Sequence, residues 1–131
     1  MNKGDDKVVN VFHNRCLRKI LRIRWQDRVS TKELLERAGM KPLSVEVMSR
    51  TWKMIGHILS KDCNDDCNVA MSWAPEGKRK RGRPKTTWRR TVERQEVGWR
   101  SWEEVRTAVT YREEWKRSVK ALCATRHGED R

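Results

Sequence analysis

The feature that most constrains the fold is a run of thirteen residues, KRKRGRPKTTWRR (78–90), in which eight residues are basic and none is acidic. Gly82 and Pro84 lie inside this run, and Gly77 directly precedes it. Proline bars the residue before it from the helical region, and glycine raises the free-energy cost of helix. We therefore expect an irregular segment in the middle of the chain, with helices on either side. We call residues 78–90 the basic segment.

The basic segment also holds most of the charge of the chain. The net charge of +13 divides into +4 over residues 1–77, +8 over the basic segment and +1 over residues 91–131. A focused cationic segment binds a polyanion by releasing condensed counterions, so nucleic acid is the first partner to consider. Solvated linkers and nuclear-import signals have the same composition, and the sequence leaves them open. The residues predicted to contact nucleic acid are Lys78, Arg79, Lys80, Arg81, Gly82, Arg83, Pro84, Lys85, Arg89 and Arg90.

Apolar residues recur at three- and four-residue steps on both sides of the basic segment, which is typical of amphipathic helices. The 131 residues are expected to form a mainly α structure of about six short helices, as one small domain or two subdomains, with a central irregular basic loop. The predicted divisions are an N-terminal helical segment (1–60), an irregular and basic stretch (61–85) and a C-terminal helical segment (86–131).

Capping residues and apolar stripes place the individual helices. The first is predicted over residues 8–24, with Val8, Val9, Phe12, Cys16, Leu17, Ile20 and Leu21 on its apolar face. The second spans residues 31–38, between Ser30 and Gly39, and the third follows Pro42. Residues 60–77 are predicted to be an irregular connection. Three further helices are predicted to open at Thr86 or Thr87, at Ser101 and at Thr110. The predicted apolar stripes are Val45, Met48, Trp52, Ile55 and Leu59 on the third helix, Trp102, Val105 and Val109 on the helix that opens at Ser101, and Trp115, Val119 and Leu122 on the last.

Seven tryptophans divide into two groups by their positions. The first group, on the apolar stripes of predicted helices and hence expected in the core, is Trp52, Trp88, Trp102 and Trp115. Trp25, Trp73 and Trp99 lie near breaks in the helical pattern. These three are the better candidates for an exposed face on which bases could stack.

The sequence contains little that indicates a catalytic site. A polymerase or nuclease needs carboxylates that converge on metal ions, and the pair Asp65 and Asp66 lacks flanking apolar alternation. No glycine-rich phosphate loop or nucleophile motif is present. We expect no catalytic residues, no cofactor and no small-molecule substrate.

A zinc site is the remaining metal hypothesis. Its candidate ligands are His57, Cys63, Cys67, Cys123 and His127. Neither half contains the two-residue gap between cysteines that marks the commonest structural zinc knuckles. Reduced thiols and an ordinary polar histidine are the interpretation that the spacing favours.

Arg81, Gly82, Arg83 and Pro84 form the core of an AT-hook-like sequence. In an extended chain, glycine lets the backbone approach the groove floor while the arginines reach along it, which suits the narrow minor groove of A·T tracts. A general phosphate-binding run explains the same residues. The sequence slightly favours the general run and leaves both interpretations open.

Three blocks in order resemble the region downstream of the reverse transcriptase domain in non-LTR (LINE-type) retrotransposon polyproteins: residues 12–39, 51–59 and 73–90. The resemblance spans roughly residues 11–123, with 93–99 shorter than the usual spacing. The matching positions are Trp25, Trp52, Gly56, His57, residues 78–84, Trp88, Arg89 and Arg90.

This resemblance implies a non-catalytic, nucleic-acid-binding C-terminal fragment whose parent polyprotein is the polymerase and endonuclease. The implied partners are element RNA or target DNA, and the upstream reverse transcriptase domain. The alternative is a degenerate fragment that once packed on the polymerase and has no specific ligand. The polar start of the chain predicts an intracellular protein without membrane contact, in a nuclear or cytoplasmic ribonucleoprotein.

Overall fold

The structure is a computed structural model that describes residues 3–73, 76–78, 80–82, 87–93, 99 and 101–129, with only the backbone for residues 93 and 126–129. Within these ranges the chain is mainly helical and contains no strand, so the predicted fold class is confirmed. The helices are α1 (Lys3–Ile20), α2 (Thr31–Ala38), α3 (Leu43–Leu59), α4 (Asp66–Ser72), α5 (Trp88–Glu93), α6 (Trp102–Thr110) and α7 (Arg112–Glu129). None of the described helices is both long enough and apolar enough to cross a membrane.

Contacts between residues divide the chain into two compact units. Unit 1 comprises residues 1–50 and 123–131, and unit 2 comprises residues 51–122. The division falls inside α3 and α7, so both helices contribute residues to each unit. The basic segment belongs wholly to unit 2. The three divisions predicted from composition stay a prediction.

Unit 1 contains a small apolar cluster around α2. Its members are Leu17, Val29 and Leu34, with Ile23, Leu35 and Ala38 packed against them. The helix begins where predicted, because the Ser30 hydroxyl accepts a hydrogen bond from the Glu33 backbone N–H at 3.2 Å. It ends at Gly39, whose φ of +62° is the left-handed conformation that glycine adopts without steric cost.

Helix α1 differs from its prediction at both ends. It begins at Lys3, five residues earlier than predicted, and it ends at Ile20. Arg22 stops it by adopting a φ of +53°. Two backbone hydrogen bonds, from the N–H groups of residues 22 and 23 to the carbonyls of residues 19 and 18, close the end as in a Schellman motif. Here an arginine occupies the position that glycine usually takes.

The face that α1 buries also differs from the prediction. Most of the predicted stripe is exposed, as the exposed fractions of Val8 (70%), Phe12 (64%) and Ile20 (74%) show. The buried residues are His13 and Leu17. Asn10 accounts for this orientation, because its side chain donates to the Ser44 hydroxyl at 2.8 Å and accepts from the Ser44 N–H at 3.0 Å. These bonds cap the start of α3. They also turn inward the face of α1 that carries Asn10, His13 and Leu17.

Three tryptophans form the centre of unit 2, and we call Trp52, Trp99 and Trp115 the tryptophan cluster. The Trp99 and Trp115 rings stack with centroids 5.1 Å apart, and Trp52 lies 5.6 and 5.9 Å from them. Gly56 faces the cluster from α3. A Cβ atom at this position would lie 2.3 Å from the Trp115 Nε1 atom, so only glycine fits there without displacing the ring.

The apolar stripes predicted for α6 and α7 are buried. Their members are Trp102, Val105, Val109, Trp115, Val119 and Leu122. Helix α6 begins as predicted, with the Ser101 hydroxyl accepting from the Glu104 N–H at 3.3 Å. The prediction that Thr110 opens the last helix is wrong. Thr110 is the last residue of α6, where its hydroxyl donates to the Arg106 carbonyl one turn back at 3.3 Å.

Residues 60–77, predicted to be irregular, contain α4. Asp65 caps this helix, since its carboxylate accepts from the Cys67 N–H at 3.0 Å. Asn68 is buried and donates to the carbonyls of residues 61 and 62 at 3.2 and 3.3 Å, while its Oδ1 accepts from Arg106 at 3.1 Å. A helix of seven residues is marginal alone, so these bonds to α6 and to the preceding turn stabilise it.

Candidate nucleic-acid interface

The described residues of the basic segment that precede α5 are exposed. They are Lys78, Lys80, Arg81 and Gly82. Gly82 has a φ of +139°, and Gly77 has a φ of +115°, both conformations that side chains rarely adopt. The segment is therefore non-helical at these positions, as the sequence predicts. Arg79, Arg83, Pro84 and Lys85 lie outside the described residues, so the extended AT-hook-like geometry stays a prediction.

The remaining two predicted contact residues are carried by α5. Thr87 caps this helix, because its hydroxyl accepts from the Arg90 N–H at 3.3 Å and its carbonyl accepts from the Thr91 N–H at 3.1 Å. The prediction that helix resumes at Thr86 or Thr87 is thus confirmed. Val92 is buried and holds the helix in unit 2. The Arg89 guanidinium lies over the Trp102 ring, 5.2 Å from its centroid, while Arg90 is exposed.

A groove with a volume of about 760 Å³ opens in unit 2 beside α5. Its apolar lining comes from α3 and α4 and includes Met54, Ile58 and Met71. Trp73, Trp88, Arg89 and Arg90 also line it, together with Cys67, Ala70, Ser72 and Thr87. None of these described lining residues is acidic, whereas two are arginines. The groove thus combines an apolar surface with positive charge.

Two tryptophans of this groove are open to solvent. The exposed fraction is 68% for Trp73 and 49% for Trp88. Trp73 fits its prediction as an exposed residue near a break. The prediction that Trp88 is a core residue is wrong, because α5 has only six residues and Val92 takes its buried position.

The groove and the basic segment are joined through the chain. Trp73 lies just before residues 74–86, and Thr87 lies just after them, and both line the groove. Residues 74–86 contain six basic residues and one acidic residue, Glu76. Whatever path these thirteen residues follow, both of their attachment points lie at one groove. We call this arrangement the groove and basic loop, with the loop defined as residues 74–86.

Of the other two tryptophans that were candidates for an exposed face, one is exposed and one is packed against other rings. Trp25 is 86% exposed, in the 3-10 turn Trp25–Asp27 of unit 1. Trp99 was expected on an exposed face, but it stacks in the tryptophan cluster instead. No local pattern predicts this position, because the burial of Trp99 comes from residues on α3 and α7 that are distant in sequence.

The zinc candidates are not brought together among the residues that the structure describes. His57, Cys63 and Cys67 are exposed, Cys123 is buried, and the side chain of His127 lies outside the described set. The described His, Cys, Asp and Glu side chains include no group of three that could hold a metal ion.

The acidic side chains of the turn before α4 accept hydrogen bonds within that turn and at the start of the helix. The pKa of Asp62 is lowered by the backbone N–H of Asn64, and further by the Cys63 thiol, both of which donate to its carboxylate. Asp65 caps α4 and lies 3.8 Å from the Lys61 ammonium group. The adjacent carboxylates considered above therefore include one that is already used as a helix cap.

The groove and its methionine lining were not predicted, since Met54 and Met71 lie on different helices.

Comparison with known proteins finds no matching family model, no matching curated protein and no matching solved structure.

Proposed function

We propose that this chain is a non-catalytic nucleic-acid-binding protein segment that acts through the groove and basic loop. One observation carries the proposal: Trp73 and Thr87, which flank the basic loop, line the same groove, and Arg89 and Arg90 line it too. The stretch with the densest positive charge of the chain is therefore attached at both ends beside exposed aromatic rings. Proteins that bind nucleic acid without catalysis combine these two elements.

The electrostatic contribution can be estimated from the residue count. The basic segment has eight basic residues, and we expect six to eight of them to neutralise phosphates. At about 0.9 per contact, a logarithmic plot of affinity against salt on duplex DNA should then have a slope of roughly −5 to −7. A slope of this size would make the interaction strong at low salt and weak well above physiological salt.

The retroelement resemblance supplies the proposed biological setting. On this proposal the chain is a C-terminal fragment of a LINE-type polyprotein, without the catalytic carboxylates of its parent. Its partners are element RNA or target DNA and the upstream reverse transcriptase domain, within a nuclear or cytoplasmic ribonucleoprotein. The resemblance in residues 73–90 supports this setting because it includes both Trp88 and the arginines that line the groove.

A titration of the full chain with labelled duplex DNA, single-stranded DNA and single-stranded RNA, each at several salt concentrations, tests the proposal. Deletion of residues 78–85 should reduce the magnitude of the salt slope by several units. A matched control replaces Arg15 and Lys19, exposed on α1, with glutamine and should leave most of the slope. An unchanged slope in the deletion variant, with loss in the α1 variant, would place the binding surface on α1 and refute the proposal.

A second candidate function rests on the exposed apolar residues of α1. Val8 and Phe12 lie one turn apart and are 70% and 64% exposed. A fragment that packs on the upstream polymerase domain would use such a face. This candidate would replace the first if the chain bound none of the three nucleic acids at low salt.

A further inference from the structure

We propose that the groove holds an unpaired base, stacked on Trp73 or Trp88, so that single-stranded nucleic acid binds more tightly than duplex of the same length. This inference rests on the proposed function and names the ligand class of the same site. Its basis is the conjunction of aromatic exposure, apolar lining and cations in one concave surface.

The exposure of the two rings is the first step. Tryptophan is highly buried on average, and burying an aromatic side chain removes some 150–250 Å² from water. Trp73 and Trp88 nevertheless keep 68% and 49% of their surface exposed, on one groove. A flat apolar ligand that covers these faces would recover part of the hydrophobic free energy that the fold leaves unused.

The shape of the surface is the second step. The groove volume of about 760 Å³ lies within the range of roughly 300–1,000 Å³ that is usual for small-ligand sites. Met54 and Met71 contribute flexible thioether side chains, which adapt to aromatic rings of different shapes. Such a surface suits any of the four bases, and we expect weak sequence preference from it.

The charges decide between possible aromatic ligands. Arg90 is exposed at the groove, and Arg89 is held against Trp102, so a cation stands next to the place where a base would stack. Each base of a nucleic acid brings a phosphate that can bind the exposed Arg90, whereas a neutral aromatic ligand brings no such group. The neighbouring basic loop extends the positive charge along the chain.

The requirement for an unpaired base follows from stacking. In a duplex both faces of each base are covered by its neighbours, so a ring of the protein reaches a base face only after unstacking, which costs free energy. In a single strand the bases are available to aromatic side chains at little cost. The groove should therefore add affinity for single strands only, while the basic loop binds the phosphates of both.

The test measures binding of a single-stranded RNA dodecamer, the matching DNA strand and the DNA duplex at one salt concentration. Replacing Trp73 and Trp88 together with leucine should weaken single-strand binding roughly 5- to 150-fold per stacked base lost. Duplex binding should change by less than about twofold, since that contact is made through phosphates. Tyr111→Leu, at an exposed aromatic residue outside the groove, is the matched control and should also change single-strand binding by less than about twofold.

A second arm uses the unaltered protein, so that it is independent of how the variants fold. A strand in which abasic sites replace the bases keeps the phosphates and removes the stacking. It should bind the unaltered protein about as weakly as the ordinary strand binds the double-leucine variant. Equal affinity for abasic and ordinary strands would overturn the inference, and so would equal losses in Tyr111→Leu and the double variant.

The two proposals fail in different ways. If single strands and duplex bind alike, and both weaken on deletion of residues 78–85, the proposed function stands and the stacking site is refuted. If no nucleic acid binds, both proposals are refuted. A polyglutamate competitor that displaced the abasic and ordinary strands with equal ease would show that the groove adds nothing beyond charge, which also contradicts stacking.

Discussion

The tryptophan cluster and the groove use the same residue type in opposite ways within unit 2. In the cluster, Trp52 is completely buried and Trp115 is 7% exposed, with their rings packed edge to face. In the groove, Trp73 and Trp88 keep 68% and 49% of their surface exposed to solvent. Trp52 and Trp115 of the cluster lie on α3 and α7, which have 17 and 18 residues, whereas Trp73 and Trp88 of the groove lie at the ends of the short helices α4 and α5.

For Trp52, Trp115, Trp73 and Trp88, burial follows the length of the helix at which the side chain lies. A long helix presents the same face to a core over several turns, so a tryptophan on that face is covered from above and below. A helix of six or seven residues offers about two turns, and its buried positions are taken by one or two anchors, Val92 in α5 and Asn68 in α4. The tryptophans at its ends are then left on the surface.

The largest expected change in stability comes from a pair of alanine substitutions that tests this comparison. Trp52→Ala removes a fully buried ring, and we expect it to lower the free energy of unfolding by about 3–5 kcal/mol. Trp73→Ala should change it by only about 0.5 kcal/mol, because that side chain is mostly exposed. Urea unfolding followed by circular dichroism measures both values. Similar losses in the two variants would mean that the groove tryptophan is a core residue.

Gly56→Ala tests the packing of the cluster itself. The added methyl group would lie 2.3 Å from the Trp115 Nε1 atom, so we expect a loss of about 1–3 kcal/mol even after the gain in helix propensity. Gly4→Ala in α1 is the matched control, since no atom lies within 4 Å of its added Cβ. That change should be neutral or slightly stabilising in the same unfolding experiment. A neutral Gly56→Ala would contradict the close packing of α3 against Trp115.

On the exposed side of the comparison, Arg83→Ala asks whether the basic segment distinguishes base sequences. If residues 81–84 enter the minor groove as an AT-hook does, this change should cost about 1–3 kcal/mol on an A·T tract and less on a G·C duplex. Lys78→Ala should weaken binding to both duplexes alike, because a lysine on phosphate distinguishes no base.

Competition with netropsin, which occupies the minor groove, provides an independent measurement of the same point. We expect netropsin to displace the protein from the A·T duplex. Failure to displace it, or equal losses for Arg83→Ala and Lys78→Ala on both duplexes, would make the segment a general phosphate binder.

The smallest expected effect is that of metal removal. If packing of the tryptophan cluster and the helix caps stabilise the fold without a metal ion, the helical circular dichroism signal should not change with excess EDTA. A structural zinc site would hold much of the folding free energy in the metal, and chelation would unfold it. Loss of helix that zinc restores would show that His57, Cys63, Cys67, Cys123 and His127 form a site after all.

Helices with repeated apolar residues and side-chain caps were predictable from the sequence. The stripe Val45, Met48, Trp52 and Ile55 of α3 is buried as expected, and the Ser30, Thr87 and Ser101 caps lie where their hydroxyl groups indicate. Helix α4 was missed because its stability depends on the hydrogen bond that Asn68 accepts from Arg106 of α6, which no local pattern contains. The buried face of α1 was predicted wrongly because the Asn10 bond to Ser44 rotates it.

The candidate site was predictable only in part, for a similar reason. Composition identifies the basic segment, and a break in the helical pattern indicates the exposed ring of Trp73. The groove requires α3, α4 and α5 to meet, and this depends on packing between residues far apart in sequence. Trp88 is exposed although it was predicted in the core, because apolar periodicity cannot tell a short helix from a long one. Trp99 stacks in the tryptophan cluster although it was a candidate for an exposed face, because periodicity cannot detect stacking by a residue outside any helix.

The attachment of the basic loop to one groove at both ends has a kinetic consequence. Thirteen residues anchored at both ends reach at most about 23 Å from the groove, so a strand bound there as proposed would meet the loop at an effective concentration on the order of millimolar or above. The two weak contacts would then act as one avid contact. The strand leaves only when both release together, so its residence time on the protein should lengthen far more than its rate of capture rises.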